Sequence, residues 1–417
     1  MTVALARALS EAVGPGHVTR EGKSYTVQPG APPEVAHVLA IARERKVPVM
    51  PVGARTHAQS PDGAAAPGKP KPEILLDTRR MTNLLHLDEL SLVVHAQAGI
   101  EVRALEATLN ERGLTLGDFP AETYRSTLGG ILAARAPGRA TSRLGPIEST
   151  CIGLSVVLAD GRTVHIKAAP RRATGPDLMR LFLGGEGILG VITAAVVRIQ
   201  RLPDARIFAA HALSSVDAAL DAARQAMRRG ARPAAVRIYD GADAHASGLG
   251  TGVDAAGALL LASLTGASAI VDAEARVLEA AAHERGGTAL GAAPAEKWWS
   301  SRGAPASPGE QPHAEARFQV AAPLGQLAAV YRGVRASLLA AGVPCRAYLA
   351  HFHEGGGCAY FAFARAEASD AVARESAVAA GGRPADELGV DAPLQAALRT
   401  LKQELDPQGI LFEGRLA

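Results

Sequence analysis

Gly185-Glu186-Gly187-Ile188-Leu189-Gly190-Val191-Ile192-Thr193 decides how this chain is read. Its first six residues spell G-x-G-x-x-G, the fingerprint of a dinucleotide loop. Such a loop follows a strand and opens a helix, because the helix N-terminus receives the pyrophosphate. Here the order is reversed. A helix over Pro176–Leu183, with Pro in its first turn, precedes the glycines, and the β-branched run Val191–Ile199 follows them. The spacing predicts a tight helix-to-strand turn in which glycine supplies positive φ. It argues against a Rossmann fold.

Two further glycine turns lie upstream. Pro51-Val52-Gly53-Ala54-Arg55-Thr56-His57 ends the buried-strand pattern Val47–Val52, and Ser126-Thr127-Leu128-Gly129-Gly130 opens a second turn. Glycines at turns let successive backbone N–H groups converge on an anion. Three such turns without a P-loop lysine predict an extended phosphate-bearing ligand held by several loops.

The surroundings read as alternating helices and strands. Val35, Val38, Leu39 and Ala42 mark one face of a helix from Pro32, and Val102, Leu105 and Leu109 mark another that Gly113 ends. Ile74–Asp77 and Ser91–Gln97 read as strands, residues 58–72 as a long loop, and Asp160-Gly161 as a hairpin turn. Residues 114–147 form a long irregular stretch, which in a compact region signals function. Beyond Arg201–Asp204 come helices at Val216–Arg229, Ser268–His283 and Gly325–Ala341. Strands at Ala234–Ile238, Ala258–Ser263 and Ala347–His353 alternate with them, and a tail helix spans Leu394–Leu405. This predicts an α+β fold whose second sheet is covered by helices on one face.

Composition narrows the function. The chain has 417 residues, enough for two or three domains, and a net charge of only +3. Its basic residues are scattered without aromatic interleaving, so no nucleic-acid partner is expected. Cys151, Cys345 and Cys358 form no C-x-x-C pair and fit a reducing compartment. Met1–Gly14 lacks the parts of a signal peptide, and no apolar run reaches the ~18 residues of a membrane span. A cytoplasmic protein without a transmembrane segment is expected.

Residues 24–203 resemble the FAD-binding domain of the vanillyl-alcohol oxidase superfamily, also called PCMH-type. Four segments carry the resemblance, in order. Pro51–His57 stands where the superfamily has its first pyrophosphate loop. Ile74–Met81 matches a strand with a following Asp and Met. Pro120-Ala121-Glu122-Thr123-Tyr124-Arg125-Ser126-Thr127-Leu128-Gly129-Gly130 with Ala134-Arg135-Ala136-Pro137-Gly138 matches the second flavin loop. Gly175-Pro176-Asp177 with Glu186–Thr193 matches the closing motif. The resemblance implies a two-subdomain FAD-binding domain over 1–203, a cap domain over 204–350, and a segment 351–417 returning to the FAD domain. It implies FAD held non-covalently, a small-molecule substrate, and a homodimer or partner subunit.

Within the superfamily the wording is similar to alkyldihydroxyacetonephosphate synthases, in Tyr124–Gly130, Pro170–Asp177 and Cys358–Phe361. That likeness implies Tyr360 as a catalytic acid/base, a role a phenol fills once its surroundings favour proton loss. Trp298-Trp299-Ser300-Ser301-Arg302 resembles a stretch that orients anionic substrates, with Arg302 as the fork. His351 and His353 flank Phe352 at i, i+2, which predicts one strand face, with His353 as an alternative base and no metal.

Three departures accompany the resemblance. The first loop has Ala54-Arg55 where relatives have glycines, and His57 stands one residue beyond the histidine of covalent flavoproteins. Asp386-Glu387 stand where the synthases have a histidine cluster. The chain begins close to the flavin domain, so no long N-terminal extension is expected. Three functions remain open: an FAD-dependent oxidoreductase passing hydride from a small hydroxy acid or alcohol to flavin N5, a synthase-like transferase with no net redox change, and a degenerate flavin-binding subunit dependent on a partner.

Overall fold

Val35, Val38, Leu39 and Ala42 are fully buried along the helix Pro32–Arg45, as their spacing predicts, and Lys46 closes that helix in a left-handed conformation. They appear in a computed structural model that describes residues 2–56, 73–169, 175–301, 315–353, 355–366, 368–385 and 391–411. The chain forms two units. The first comprises Met1–Gly138, Pro146–Arg201 and Val390–Ala417, and the second Arg139–Gly145 and Leu202–Gly389. Among the described residues, no helix is long and apolar enough to cross a membrane.

Among the described residues, the first unit holds two larger sheets and a two-stranded one, Leu114–Thr115 with Gln200–Arg201. In one, Ser24–Val27, Ile74–Asp77 and Val49–Val52 run parallel, and Val18–Glu21 pairs antiparallel at the edge. Parallel strands need crossovers, and the helix Pro32–Arg45 provides the one from Ser24–Val27 to Val49–Val52, which flank Ile74–Asp77. The other sheet is antiparallel, in the order Leu84–Asp88, Val93–Gln97, Val191–Arg198, Cys151–Val157, Thr163–Ile166. Its last two strands form the hairpin about Asp160-Gly161. The helix expected over Pro176–Leu183 shortens to a single 3-10 turn, Leu178–Leu181, capped by Asp177. The strand after the glycines is present as Val191–Arg198.

Among the described residues, the second unit is built on an eight-stranded sheet. Val236 and Ile238 of the strand Ala235–Asp240 pack with the helices Val216–Arg228, Ser268–His283, Leu324–Ala340 and Ser369–Ala379. Ala235 and Tyr239, on the opposite face, pack with Ala244 and Trp298. This is the period-2 alternation of a strand. The expected one-sided cover is therefore incomplete: the short helices Gly241–Ala246 and Ala293–Ser301 lie on the second face.

The observed units also shift two expected boundaries. The sequence reading begins the returning tail at residue 351, yet the chain stays in the second unit to Gly389. Pairing explains this: Cys345–His353 and Gly356–Ala364 form one antiparallel hairpin in the eight-stranded sheet, with Tyr348 opposite Tyr360. Conversely, Arg139–Gly145 belongs to the second unit although it lies inside residues 1–203. Arg143 anchors it there, donating to Arg232 O at 2.7 Å and to the carboxylate of the largely buried Glu274 at 3.1 Å.

Candidate cofactor and substrate sites

Three chain segments converge in the first unit. Pro51 and Val52 end a strand, and the chain then turns through Gly53, Ala54, Arg55 and Thr56. Ala121–Tyr124 is a single helical turn followed by Arg125 and the buried Ser126 and Thr127. Thr127 caps the next helix, Leu128–Ala134, accepting from Gly130 N, and Arg135 ends it just before the buried Ala136. Glu186, Gly187, Ile188, Leu189 and Gly190 form the turn into Val191 and Ile192.

These loops interlock by close approach. A methyl group at Gly53 would overlap Thr127 Oγ1, and one at Gly187 would come 3.0 Å from Pro51 Cγ. Only glycine lets the first loop meet both others. Thr56 Oγ1 and Ser126 Oγ are hydrogen-bonded. Gly184 N donates to Leu132 O and Glu186 N to Ala133 O, each at 3.1 Å, while Arg135 Nε donates to Leu183 O at 3.1 Å.

Backbone strain concentrates here. Arg55, Arg135 and Glu186 take φ of 57°, 48° and 49°, one in each loop. A non-glycine residue in this region costs ~1–2 kcal/mol, and such conformations gather at ligand clamps. Arg55 thus adopts a left-handed shape that glycine takes more readily.

The loops fit a pyrophosphate. Leu128 N, Gly129 N and Gly130 N are taken by Ile100 O, Ala98 O and Thr127 Oγ1. The N–H groups of Gly53, Ala54 and Arg55 have no partner among the described residues. The free donors therefore sit on the first loop, not on the helix end. Beside them lies a cavity of about 700 Å³ lined by Ala54, Thr56, Arg79, Arg125 and Thr127. That is within the ~300–1,000 Å³ of ligand sites. Asp77 aims Arg79, accepting from its Nε at 2.9 Å and its Nη2 at 2.6 Å. Burial pushes the Asp77 carboxyl up, but the bonds from Arg79 and Gln28 outweigh it and hold the group below the usual carboxylate range. His57 lies outside the described residues.

The second unit holds a separate aromatic cluster. Tyr360 is half-buried on Gly356–Ala364, and its ring stacks on Tyr348 with centroids 4.6 Å apart. The Arg237 guanidinium lies 4.1 Å from the Tyr348 centroid and 5.7 Å from that of Trp298, and its Nη1 donates to Tyr239 Oη at 3.2 Å. Arg237 is only 8% exposed, and its Nε has no partner among the described residues. Burial opposes its charge, yet attraction to Tyr239, Tyr348 and Tyr360 prevails and keeps the guanidinium charged. Sequence reasoning missed Arg237. The available signal is a lone arginine inside the apolar strand Ala235–Asp240, since a buried charge needs a reason to be there.

The two histidines part company. The register slips between Ala350 and His353, and His351 sits at φ 54° in the bulge. The i, i+2 geometry expected of them therefore fails. His351 is 5.9 Å from Tyr360, ring to ring, and its Nδ1 is 3.0 Å from Thr141 Oγ1. His353 is exposed, and its Nδ1 accepts from Gly355 N. Trp299 lies between Arg139 and Arg206, whose guanidiniums are 5.1 and 4.7 Å from its ring. Arg302, Asp386 and Glu387 lie outside the described residues. Among the described residues, no three His, Cys, Asp or Glu groups gather as metal ligands.

Comparison with known proteins follows the two-part division. The family described as "FAD binding domain" matches residues 24–167, and "FAD linked oxidases, C-terminal domain" matches residues 202–390. An uncharacterized FAD-linked oxidoreductase of Escherichia coli K12, YgcU, is 32% identical over 52% of this chain and 44% of its own length. Alkyldihydroxyacetonephosphate synthase of Caenorhabditis elegans is 28% identical over 53% of this chain and 38% of its own length. The mitochondrial D-2-hydroxyglutarate dehydrogenase of Bos taurus is 35% identical over 43% of this chain and 32% of its own length. The match thus spans less than half of each of these relatives. Two solved structures share the fold. One is an alkyldihydroxyacetonephosphate synthase, with TM-score 0.79 and 19% identity over 98% of this chain and 84% of that one. The other is p-cresol methylhydroxylase, with TM-score 0.77 and 16% identity over 100% and 96%.

Proposed function

This chain belongs to the FAD-linked oxidases of the vanillyl-alcohol oxidase superfamily, and we propose that it oxidises a small 2-hydroxy acid or related alcohol. One observation carries the reading: a buried guanidinium, Arg237, against the ring of Tyr348, which stacks in turn on Tyr360. FAD, when bound, supplies the two-electron acceptor. The chain's own residues handle charge and protons. Arg237 attracts a substrate carboxylate. Tyr360 takes the proton of the substrate hydroxyl as it passes its own to His351, whose ring is beside it. Thr141 fixes the His351 ring at Nδ1. In this reading His351 replaces His353 as the histidine of the site.

A synthase-like transferase is the second reading, favoured by Tyr360 and by the similarity to alkyldihydroxyacetonephosphate synthases. The test is anaerobic mixing of the FAD-loaded protein with a panel of 2-hydroxy acids, read as loss of flavin absorbance. Bleaching by a member of the panel supports the oxidoreductase. No bleaching, with fatty-alcohol exchange on acylated dihydroxyacetone phosphate, supports the transferase. A chain that binds FAD and does neither is the partner-dependent subunit.

A further inference from the structure

Residues 391–411 lie beyond both matched family regions, which end at 167 and 390. They begin with the helix Ala392–Leu405, whose Leu398, Leu401 and Leu405 pack on the core of the first unit. On its last turn sits Lys402, only 7% exposed. Its ammonium has three protons and three acceptors. These are Asp406 Oδ2 at 2.5 Å, Ile188 O at 2.9 Å and Leu411 O at 2.9 Å. Asp406 in turn accepts from Ile410 N at 3.0 Å and Leu411 N at 2.8 Å. Ile410 O then accepts from Val49 N at 2.7 Å, and Leu411 pairs with Val49 as a parallel bridge.

Each end of this chain of bonds reaches a cofactor loop. Ile188 belongs to the closing turn, next to Gly187 and to the strained Glu186. Val49 opens the strand that delivers Pro51 and Gly53 to the first loop. Strained backbone persists only where its surroundings over-determine it. Lys402 supplies that constraint from 214 residues away.

We infer that Lys402 and Asp406 form a clasp whose task is to hold the two FAD loops in binding geometry. Lys402 is a positioning residue: it reaches the loops through Ile188 O and Leu411 O and touches no reacting group. The inference rests on FAD binding by the first unit and is independent of which substrate is oxidised. By linkage, a clasp that favours FAD is itself favoured by FAD.

Two experiments on the full chain test it. Removing Lys402 alone would strand a buried carboxylate, so the variant of choice is Lys402→Met with Asp406→Asn, which removes both charges and keeps one of the two side-chain acceptors that Ile410 N and Leu411 N use. Titration of the apoprotein with FAD, read by quenching of flavin fluorescence, should show a Kd raised about tenfold or more. Far-UV circular dichroism should be unchanged. A folded double variant with wild-type Kd overturns the inference. The second experiment uses the wild-type chain alone. FAD should slow hydrogen exchange at residues 402–411 as well as at 53–56 and 185–190. Protection of the loops without protection of 402–411 overturns it, as does a wild-type chain that binds no FAD. A chain that binds FAD tightly but bleaches with no hydroxy acid defeats the proposed reaction and leaves the clasp standing.

Discussion

Tyr348 and Tyr360 stack ring on ring, 13° from parallel, because strand pairing places them directly opposite. The stack fixes the plane of Tyr360, whose hydroxyl is the proton carrier of the proposed reaction. Tyr360→Phe keeps the stack and removes that hydroxyl. It should lower kcat by ~10²–10⁴ while FAD binding stays unchanged. Stopped-flow bleaching and FAD titration separate the two effects. Equal bleaching rates in both proteins would exclude Tyr360 from proton transfer.

Arg237 is read as the charge that receives an anionic substrate. Arg237→Met should reduce kcat/KM by at least ~10² for a hydroxy acid and by much less for the matching neutral alcohol. Steady-state kinetics with the pair of substrates checks this. A uniform loss across both substrates would point to packing of Tyr239 and Tyr348 instead.

Gly53 has no room for a side chain against Thr127 Oγ1. Gly53→Ala should force the first two loops apart and raise the FAD Kd by about tenfold or more, at ~1.4 kcal/mol per decade. The converse change, Arg55→Gly, relieves a left-handed arginine and should raise thermal stability by ~0.5–1 kcal/mol. Thermal melts of the apoprotein with and without FAD measure both.

His211 is buried on the strand Ala205–Leu213, with no partner for Nδ1 among the described residues. Burial pushes its pKa below the ordinary value, against the weaker upward pull of Glu279. An unfolded histidine titrates near ~6.5. Below that pH the unfolded chain takes a proton that the folded chain refuses. The stability that His211 contributes is therefore complete above ~6.5 and lost as pH falls toward the folded value. His211→Leu should flatten the decline in melting temperature between pH 7 and 5.5. His95, lowered by burial in the same sense, should leave a residual slope. An unchanged profile in the variant would show that His211 does not titrate in this window.

Much of the cofactor half was legible because its signals are local. The buried stripe of Pro32–Arg45, the hairpin at Asp160-Gly161 and the glycine turns each follow from spacing within a few residues. The reversal of helix and strand around Gly185–Gly190 pointed away from a Rossmann loop, and the strand Val191–Arg198 indeed follows it. The misses share a different cause. Tyr348 opposite Tyr360, the bulge at His351 and the residence of 351–389 in the second unit arise from long-range strand pairing, which no local period records. Arg237 was overlooked because its one local signal, a lone charge in an apolar strand, does not say what surrounds it. Its meaning appears only when Tyr239, Tyr348 and Trp298 surround it.

The division of the chain also sets an order of assembly on the ribosome. The first unit begins before the second yet is completed only by Val390–Ala417. All of Leu202–Gly389 is translated in between. At ~5–20 residues per second, that interval lasts roughly 10–40 s. During it, Val49 N and Ile188 O lack the acceptor and donor that close them. The nascent flavin domain therefore waits, its first strand made early and its last bonds made late, while the second unit has nearly all of its sequence available to fold.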